Sequence, residues 1–272
     1  MNNSIYDKLI KPIRDRYISS CIENLTIETY SPYDKDLNFE ERLAPILKFK
    51  EKVLDWTKNT IYGLDSFPYV YVVNGNTDYL NNIFMAAEGT LAWKKGDYSY
   101  YSILARFLNK NYQELEHPQE VDNFICSWPG YSNGDSTEYE FARQCKAKRL
   151  HLDVAYLGLT EPVAVNAGDF STVGISFSKS LSIPYNRIAL VFSKKEIITL
   201  SLMNKIGYVN LSGVKIASAL LDKIPPDYWW NKYKDEYILA TTTNQMTTTK
   251  CILFAYINNV RQSTAHFFTQ KN

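Results

Sequence analysis

The residues with the most chemistry in them stand at the ends of short apolar runs. Lys179 follows Gly174-Ile-Ser176-Phe-Ser178, and Arg187 comes eight positions later. An amine so placed can form an imine with a carbonyl compound, and a guanidinium behind it can hold an anion. Asp153 lies in the run Leu150-His151-Leu152-Asp153-Val154, with the phenol Tyr156 three residues on. A carboxylate there favours a positive charge opposite it, and a phenol can donate to an oxyanion. Gly75-Asn76-Thr77 follows Tyr69-Val70-Tyr71-Val72-Val73 and precedes the helical pattern Leu80, Ile83, Phe84, Ala87. N–H groups at such a helix start cradle phosphate. Ser176 adds a hydroxyl, and Asn133, in the turn Pro129 to Gly134, adds an amide.

These residues act together only if the fold gathers distant turns. Tyr69–Val73, Asn123–Ser127, Leu150–Val154, Thr172–Phe177 and Arg187–Phe192 read as strands, and Glu138–Lys148 as a helix. Strands alternating with helices predict a three-layer α/β/α domain around a mostly parallel mixed sheet. Ligands of such sheets bind beyond the carboxyl ends of the strands, so the turns after Val73, Ser127, Val154 and Phe177 share one crevice. The chain ends have another texture. Ile5, Leu9, Ile10, Ile13 and Tyr17 recur at helical spacing, and Asn38 with Glu41 forms a capping box ahead of a second apolar stripe. After Lys194 helices dominate, broken at Pro225-Pro226 before Tyr228, Trp229, Trp230 and Tyr233, a cluster that reads as core or interface. Cys251–Ile257 reads as a last strand. Residues 60–205 are expected to form the large domain, and 1–59 with 206–272 a reduced small domain.

No GxGxxG and no P-loop is present, so a dinucleotide or nucleoside triphosphate has no motif to receive it. The remaining set meets the needs of one cofactor, pyridoxal 5′-phosphate. Lys179 offers an amine for its aldehyde and Asp153 an acid for its ring nitrogen. Tyr156 and Asn133 offer donors for its 3-oxygen. Asn76, Thr77, Ser176 and Arg187 offer donors for its phosphate.

Over residues 65 to 195, these motifs resemble the class I/II aminotransferases, the fold type I pyridoxal-phosphate enzymes. Asp153-Val-Ala-Tyr156-Leu-Gly, Ser176-Phe-Ser-Lys179-Ser and Arg187-Ile-Ala-Leu match the family's spacings of three, three and eight. Gly75-Asn76-Thr77-Asp78 is similar to its Gly-Ser/Thr-x-Glu phosphate loop. Pro129-Gly-Tyr-Ser-Asn133-Gly134 is loosely similar to its Pro-x-Asn-Pro-Thr-Gly loop, without the proline and threonine after the asparagine. Tyr98, in Tyr98-x-x-Tyr101, stands where the family stacks an aromatic ring on the cofactor. The resemblance implies an aminotransferase that exchanges an amino acid and a 2-oxo acid through a lysine Schiff base. Lys179 would carry the proton, with Asp153 and Tyr156 as its catalytic neighbours. Arg261, in Asn-Asn-Val-Arg261-Gln-Ser-Thr, is the candidate for the substrate carboxylate. The resemblance also implies a homodimer. The same constellation serves lyases, decarboxylases and racemases. A non-catalytic binding or regulatory protein of this fold, and a nucleotide-binding α/β protein with a coincident pattern, are the readings from other classes.

Composition narrows the partners. Hydrophobic residues make up 45% and charged residues 22%, as in ordinary globular chains. Thirty basic against twenty-nine acidic residues give a net charge of +1, which points to neither nucleic acid nor an anionic membrane. No apolar run approaches the roughly 20 residues of a membrane span. Met1 to Asp7 is polar and carries no signal-peptide core. Cys21, Cys126, Cys145 and Cys251 lack paired spacing, and His117, His151 and His266 are far apart, so no metal is expected. Alternation puts His151 on the face of Asp153, where a core histidine is the plainer reading. Reduced thiols without a signal core read as a cytoplasmic protein.

Overall fold

A computed structural model describes residues 13–25 and 39–268. The chain begins with α1 (Arg16–Glu23) and α2 (Phe39–Thr57), then β1 (Ile61–Tyr62), β2 (Tyr69–Val73) and α3 (Asn76–Ala86). Next come β3 (Leu91–Lys94), α4 (Tyr100–Phe107), β4 (Tyr112–Leu115), β5 (Glu120–Ser127), α5 (Thr137–Gln144) and β6 (Lys146–Val154). Then follow β7 (Val165–Asn166), β8 (Thr172–Ser176), β9 (Ala189–Ser193), α6 (Ile198–Lys205), α7 (Leu211–Leu221) and α8 (Tyr228–Thr243). A hairpin of β10 (Phe254–Ile257) and β11 (Val260–Ser263) comes last.

Seven strands form one sheet in the order β2-β9-β8-β6-β5-β3-β4. β9 runs antiparallel to β2 and β8, and all the other neighbours are parallel. The central strands are buried on both faces, and β8 and β9 are buried at every position. They therefore read as continuous apolar runs without alternation. On one face Tyr79, Leu80, Ile83 and Phe84 of α3, and Tyr101, Leu104 and Ala105 of α4, pack with Val73, Trp93, Ile125 and Val191. On the other, α5 packs on β3, β5 and β6, and buried residues of α2, α7 and α8 join Phe124, Cys126, Leu152, Val154 and Val173 in one core. The expected three layers and mixed sheet are present.

The chain ends meet each other and the sheet. Trp56 Nε1 donates to the Ile224 carbonyl (2.7 Å), and Asp15 accepts from Tyr233 (2.5 Å), Lys232 (2.6 Å) and Tyr228 (3.0 Å). Phe49 of α2 packs edge-on against Phe177 just beyond β8, with ring centroids 5.5 Å apart, so helices from the ends share the sheet's core.

Several elements depart from the sequence expectation. β3 and β4 were not anticipated. β3 is only four residues long, and β4 is a polar edge strand, where exposed charge replaces the apolar pattern. The helix expected to reach Lys148 stops at Gln144. Lys146-Ala-Lys-Arg149 opens β6 instead, outside the buried part where a strand pattern is visible. The strand expected over 187–192 begins at Ala189. The one expected over 251–257 is a hairpin that turns on Asn258 and Asn259 at φ 50° and 61°, a left-handed conformation that asparagine tolerates. α1 starts at Arg16, capped by Asp15, which accepts the Ile18 N–H (2.9 Å). Ile5, Leu9, Ile10 and the Asn38 cap lie outside the described residues.

Gly174 of β8 shows how tightly α3 sits on the sheet. A Cβ there would stand 2.3 Å from the ring of the fully buried Tyr79, whose hydroxyl meets Thr172 Oγ1 at 2.8 Å. Gly174→Ala is expected to cost about 1–3 kcal/mol by overpacking, read as a lower denaturation midpoint in urea; an unchanged midpoint would mean that α3 shifts freely.

Candidate active site

The carboxyl edge of the sheet is where the crevice lies. Ser127, Asp153 and Gly174 stand side by side there on β5, β6 and β8. Asp153 is buried, yet both its oxygens are served: Asn76 Nδ2 donates to Oδ1 (2.5 Å) and Tyr101 Oη donates to Oδ2 (3.0 Å). Asn76 Nδ2 also reaches the Gly174 carbonyl at 2.9 Å. Burial raises the Asp153 pKa above the usual carboxylate range, against the pull of Asn76, Tyr101 and the Lys179 charge. Lys179, in the turn after β8, shows the mirror effect. Burial lowers its amine, while Asp153 draws it back up. Its Nζ lies 4.9 Å from the centre of the Tyr156 ring.

The anion-binding side lies at the start of α3. Gly75 precedes the helix at φ 81°, where a side chain is strained. A Cβ there would come within 3.1 Å of Arg187 Nη2. Arg187 Nη2 donates to Thr77 Oγ1 (2.8 Å). The first intrahelical bond runs from Asp78 N–H to the Gly75 carbonyl (3.0 Å), so the N–H groups of Asn76 and Thr77 precede it, as at any helix start. Ser176 closes β8 beside Ala189 of β9, two residues from Arg187.

A third group surrounds Arg261 on β11. Its guanidinium carbon lies 3.5 Å from the Phe254 ring centre and 3.9 Å from that of Tyr131. Nη2 donates to the Tyr156 hydroxyl (3.2 Å), whereas the buried Nε and Nη1 have no partner among the described residues. Burial raises the Tyr156 phenol pKa, and Arg261 opposes that. Tyr98 packs with Tyr131 (5.2 Å between centroids) and Tyr101 (5.5 Å), and its phenol is pushed up to about 12, chiefly by burial.

With this geometry in view, no protein-family model and no curated protein matches the sequence. Solved structures do. The PLP-bound C-S lyase from Staphylococcus hominis is 13% identical at a TM-score of 0.63, covering 94% of this chain and 78% of its own. Aminotransferase AspB from Helicobacter pylori is 16% identical at 0.61, covering 92% of this chain and 77% of its own. L-threonine-O-3-phosphate decarboxylase from Porphyromonas gingivalis is 16% identical at 0.55, covering 80% of each chain. This chain has their fold. At such identity the likeness carries architecture alone, and the chemistry rests on the side chains.

Of the residues singled out in the sequence, Asn76, Asp153, Lys179, Tyr156 and Arg261 form one connected group, and Gly75, Thr77 and Arg187 another beside it. Asn76 belongs through its side chain, not only its backbone. Asn133 is turned elsewhere: its amide donates to Asp135 Oδ2 (2.7 Å), and its carbonyl accepts the Lys250 N–H. From that loop Tyr131 is the residue that faces Tyr156 and Arg261. His151 meets Thr172 Oγ1 at 2.8 Å in the interior, where burial lowers its pKa to about 3 and keeps it neutral. Tyr101, Tyr131 and Phe254 were missed. Tyr101 carried a signal, since it ends the Tyr98-x-x-Tyr101 pair; the other two are placed by long-range contacts. Among the described residues no group of histidine, cysteine and acidic side chains could hold a metal ion, and no helix is long and apolar enough to cross a membrane.

The raised Asp153 carboxyl has a consequence for stability. The folded chain keeps this proton to a higher pH than the unfolded chain, whose reference value is 3.8. The group's contribution to stability therefore falls as pH rises above about 4. Asp153→Asn keeps the shape and removes that loss. In the ligand-free protein the melting-temperature difference, variant minus wild type, should grow between about pH 4 and about pH 8; a shrinking difference would contradict the assigned burial effect.

Proposed function

We propose that this chain is a pyridoxal-phosphate-dependent enzyme acting on an amino acid, an aminotransferase by first choice. The observation that carries the reading is the buried Asp153 carboxylate, held by Asn76 and Tyr101 in the same crevice as Lys179. The donor set fits the cofactor. Asp153 would be the acid for a pyridine nitrogen, and the α3 start with Thr77, Ser176 and Arg187 would suit a phosphate. Gly75 leaves room against Arg187, and Ser178 Oγ is buried without a partner among the described residues. Tyr156 can donate to a ring oxygen. Asn133 has no such support from its present contacts.

When bound, pyridoxal phosphate supplies an electron-withdrawing ring that spreads the negative charge left when a bond to the substrate α-carbon breaks. Asp153 would keep a proton on the ring nitrogen. Lys179, with its amine made less basic by burial, would move a proton between the substrate α-carbon and the aldehyde carbon of the cofactor, as base and then as acid. Arg261 offers Nε and Nη1 to the substrate carboxylate and so orients the bond to be broken. Tyr98 and Tyr131 wall the crevice with aromatic surface. We further propose that residues 60–205 form the cofactor-binding domain, with the chain ends packed on it as a smaller unit, that the protein is a homodimer, as the family resemblance implies, and that it is cytoplasmic, as its unpaired thiols suggest.

The C-S lyase and the decarboxylase of the same fold keep those reactions open as second readings, and product analysis separates them. Keto acid formed in step with an amino acceptor marks a transaminase; release of sulfide or carbon dioxide marks the others. Lys179→Ala should lose the covalent cofactor adduct that borohydride traps in the wild type, with at least a roughly thousandfold fall in turnover. Wild-type protein that shows no adduct and no visible absorbance with pyridoxal phosphate would refute the enzyme reading. Arg187→Ala should weaken cofactor affinity roughly tenfold or more in an equilibrium titration, leaving the adduct on Lys179 intact once saturated. Unchanged affinity would remove Arg187 from the phosphate site.

A further inference from the structure

One buried carboxylate beside the crevice has no part in the chemistry above. Asp97 is 6% exposed and precedes Tyr98 in the turn between β3 and α4. It accepts three hydrogen bonds. Tyr98 N–H reaches Oδ1 at 2.7 Å, Ser127 Oγ donates to Oδ1 at 2.5 Å, and Ser127 N–H reaches Oδ2 at 3.2 Å. Ser127 Oγ in turn accepts the Tyr131 N–H at 2.9 Å. A hydroxyl has one proton to give and lone pairs to spare, so giving the proton to Asp97 leaves a lone pair for Tyr131. The relay ties the loops after two adjacent strands, β3 and β5, to one carboxylate. Those loops carry Tyr98 and Tyr131, and the Tyr131 ring is the shelf on which the Arg261 guanidinium lies.

We propose that Asp97 is a positioning residue for the substrate carboxylate: through Ser127 it fixes Tyr131, and so sets where Arg261 presents its two unpartnered donors. This rests on the reading of Arg261 as the carboxylate clamp. The relay as built needs the ionised acid, which accepts on both oxygens. A proton on Oδ2 sets an O–H against the Ser127 N–H, and a proton on Oδ1 sets one against the Ser127 and Tyr98 donors, so either protonated form loosens the link to Ser127. Burial, with a further push from Glu138 on α5, raises the Asp97 carboxyl to about 7, so both forms exist near neutrality. Tyr101 of α4 and Cys126 of β5 also feel Asp97, and burial keeps both neutral there.

The test uses the full chain, cofactor-free and loaded with pyridoxal phosphate, and calorimetric titration with 3-phenylpropionate, an unreactive monocarboxylate. Wild type should bind it roughly tenfold more weakly at about pH 6 than at about pH 8, as Asp97 gains its proton. Asp97→Asn should bind it roughly tenfold more weakly at about pH 8, with a flat pH profile and normal cofactor uptake. Ser127→Ala breaks the relay while leaving the carboxylate, and should weaken binding in the same direction; it carries the test should Asp97→Asn fail to fold. Arg261→Ala should abolish binding, which establishes that the probe reads the clamp. Wild-type affinity and pH profile in either relay variant, with cofactor uptake intact, would overturn the inference alone. A wild type that takes up no pyridoxal phosphate would overturn the proposed function, and the cofactor-free titration would still decide whether Asp97 governs Arg261.

Discussion

Burying a carboxylate is expensive, and the centre of this molecule is organised around doing so. Asp153 is nearly inaccessible to water, and its charge is sustained only by Asn76, Tyr101 and the nearby Lys179. Each partner comes from a different element. Asn76 begins α3, Tyr101 lies in α4, and Lys179 follows β8. Those elements must dock on the sheet before the carboxylate has its donors. The close contact of Tyr79 with Gly174 and the second bond of Asn76 to the Gly174 carbonyl fix α3 for that purpose. A polar group this costly, with donors from two elements and a cationic neighbour from a third, points to a site more than to a stabilising device.

The fold explains why the three groups of side chains converge. All strands that end in the crevice run parallel, while β9 returns antiparallel and brings Arg187, just ahead of it, to the same edge. A start of α3 at that edge gives an anion its N–H groups, while Asp153 stands on a neighbouring part of the sheet. The crevice thus offers positive potential at one end and an acid at the other. A zwitterionic or phosphorylated aromatic aldehyde is complementary to that polarity. The enzymes that share the fold carry different reaction names, so the common architecture supplies the cradle and the local side chains supply the choice of bond.

Legibility in the sequence followed sequence distance. Asp153 with Tyr156, Ser176 with Lys179, and Lys179 with Arg187 are short spacings, and local backbone geometry turns each into a fixed relation. The buried strands β2, β5, β8 and β9 were visible as apolar runs, because burial on both faces erases polarity. β4 and the first turns of β6 were invisible for the opposite reason: their exposed positions carry Gln, Glu, Lys and Arg. Asn133 was singled out from a loose motif, but Asp135, two residues away, offers its amide a nearer partner. Tyr131 joins the site only when the β10–β11 hairpin folds back to it over 130 residues, and Phe254 only when it meets Tyr156 over 98, and no local pattern encodes such contacts.

Arg261 shows where the remaining free energy lies. Two aromatic rings on its guanidinium offset part of the desolvation, by about 2 kcal/mol when such contacts are dry. They cannot satisfy N–H donors in the ring plane. Leaving Nε and Nη1 buried and unpaired costs roughly 1–3 kcal/mol for each. The single bond to Tyr156 does not recover that. An anion would recover part of it, and a carboxylate matches one edge of the guanidinium, Nη2 with either Nε or Nη1, in both geometry and charge. The side chain keeps donors for a partner that it does not find within the described residues, and the relay through Asp97 and Ser127 ties down Tyr131, the shelf beneath it.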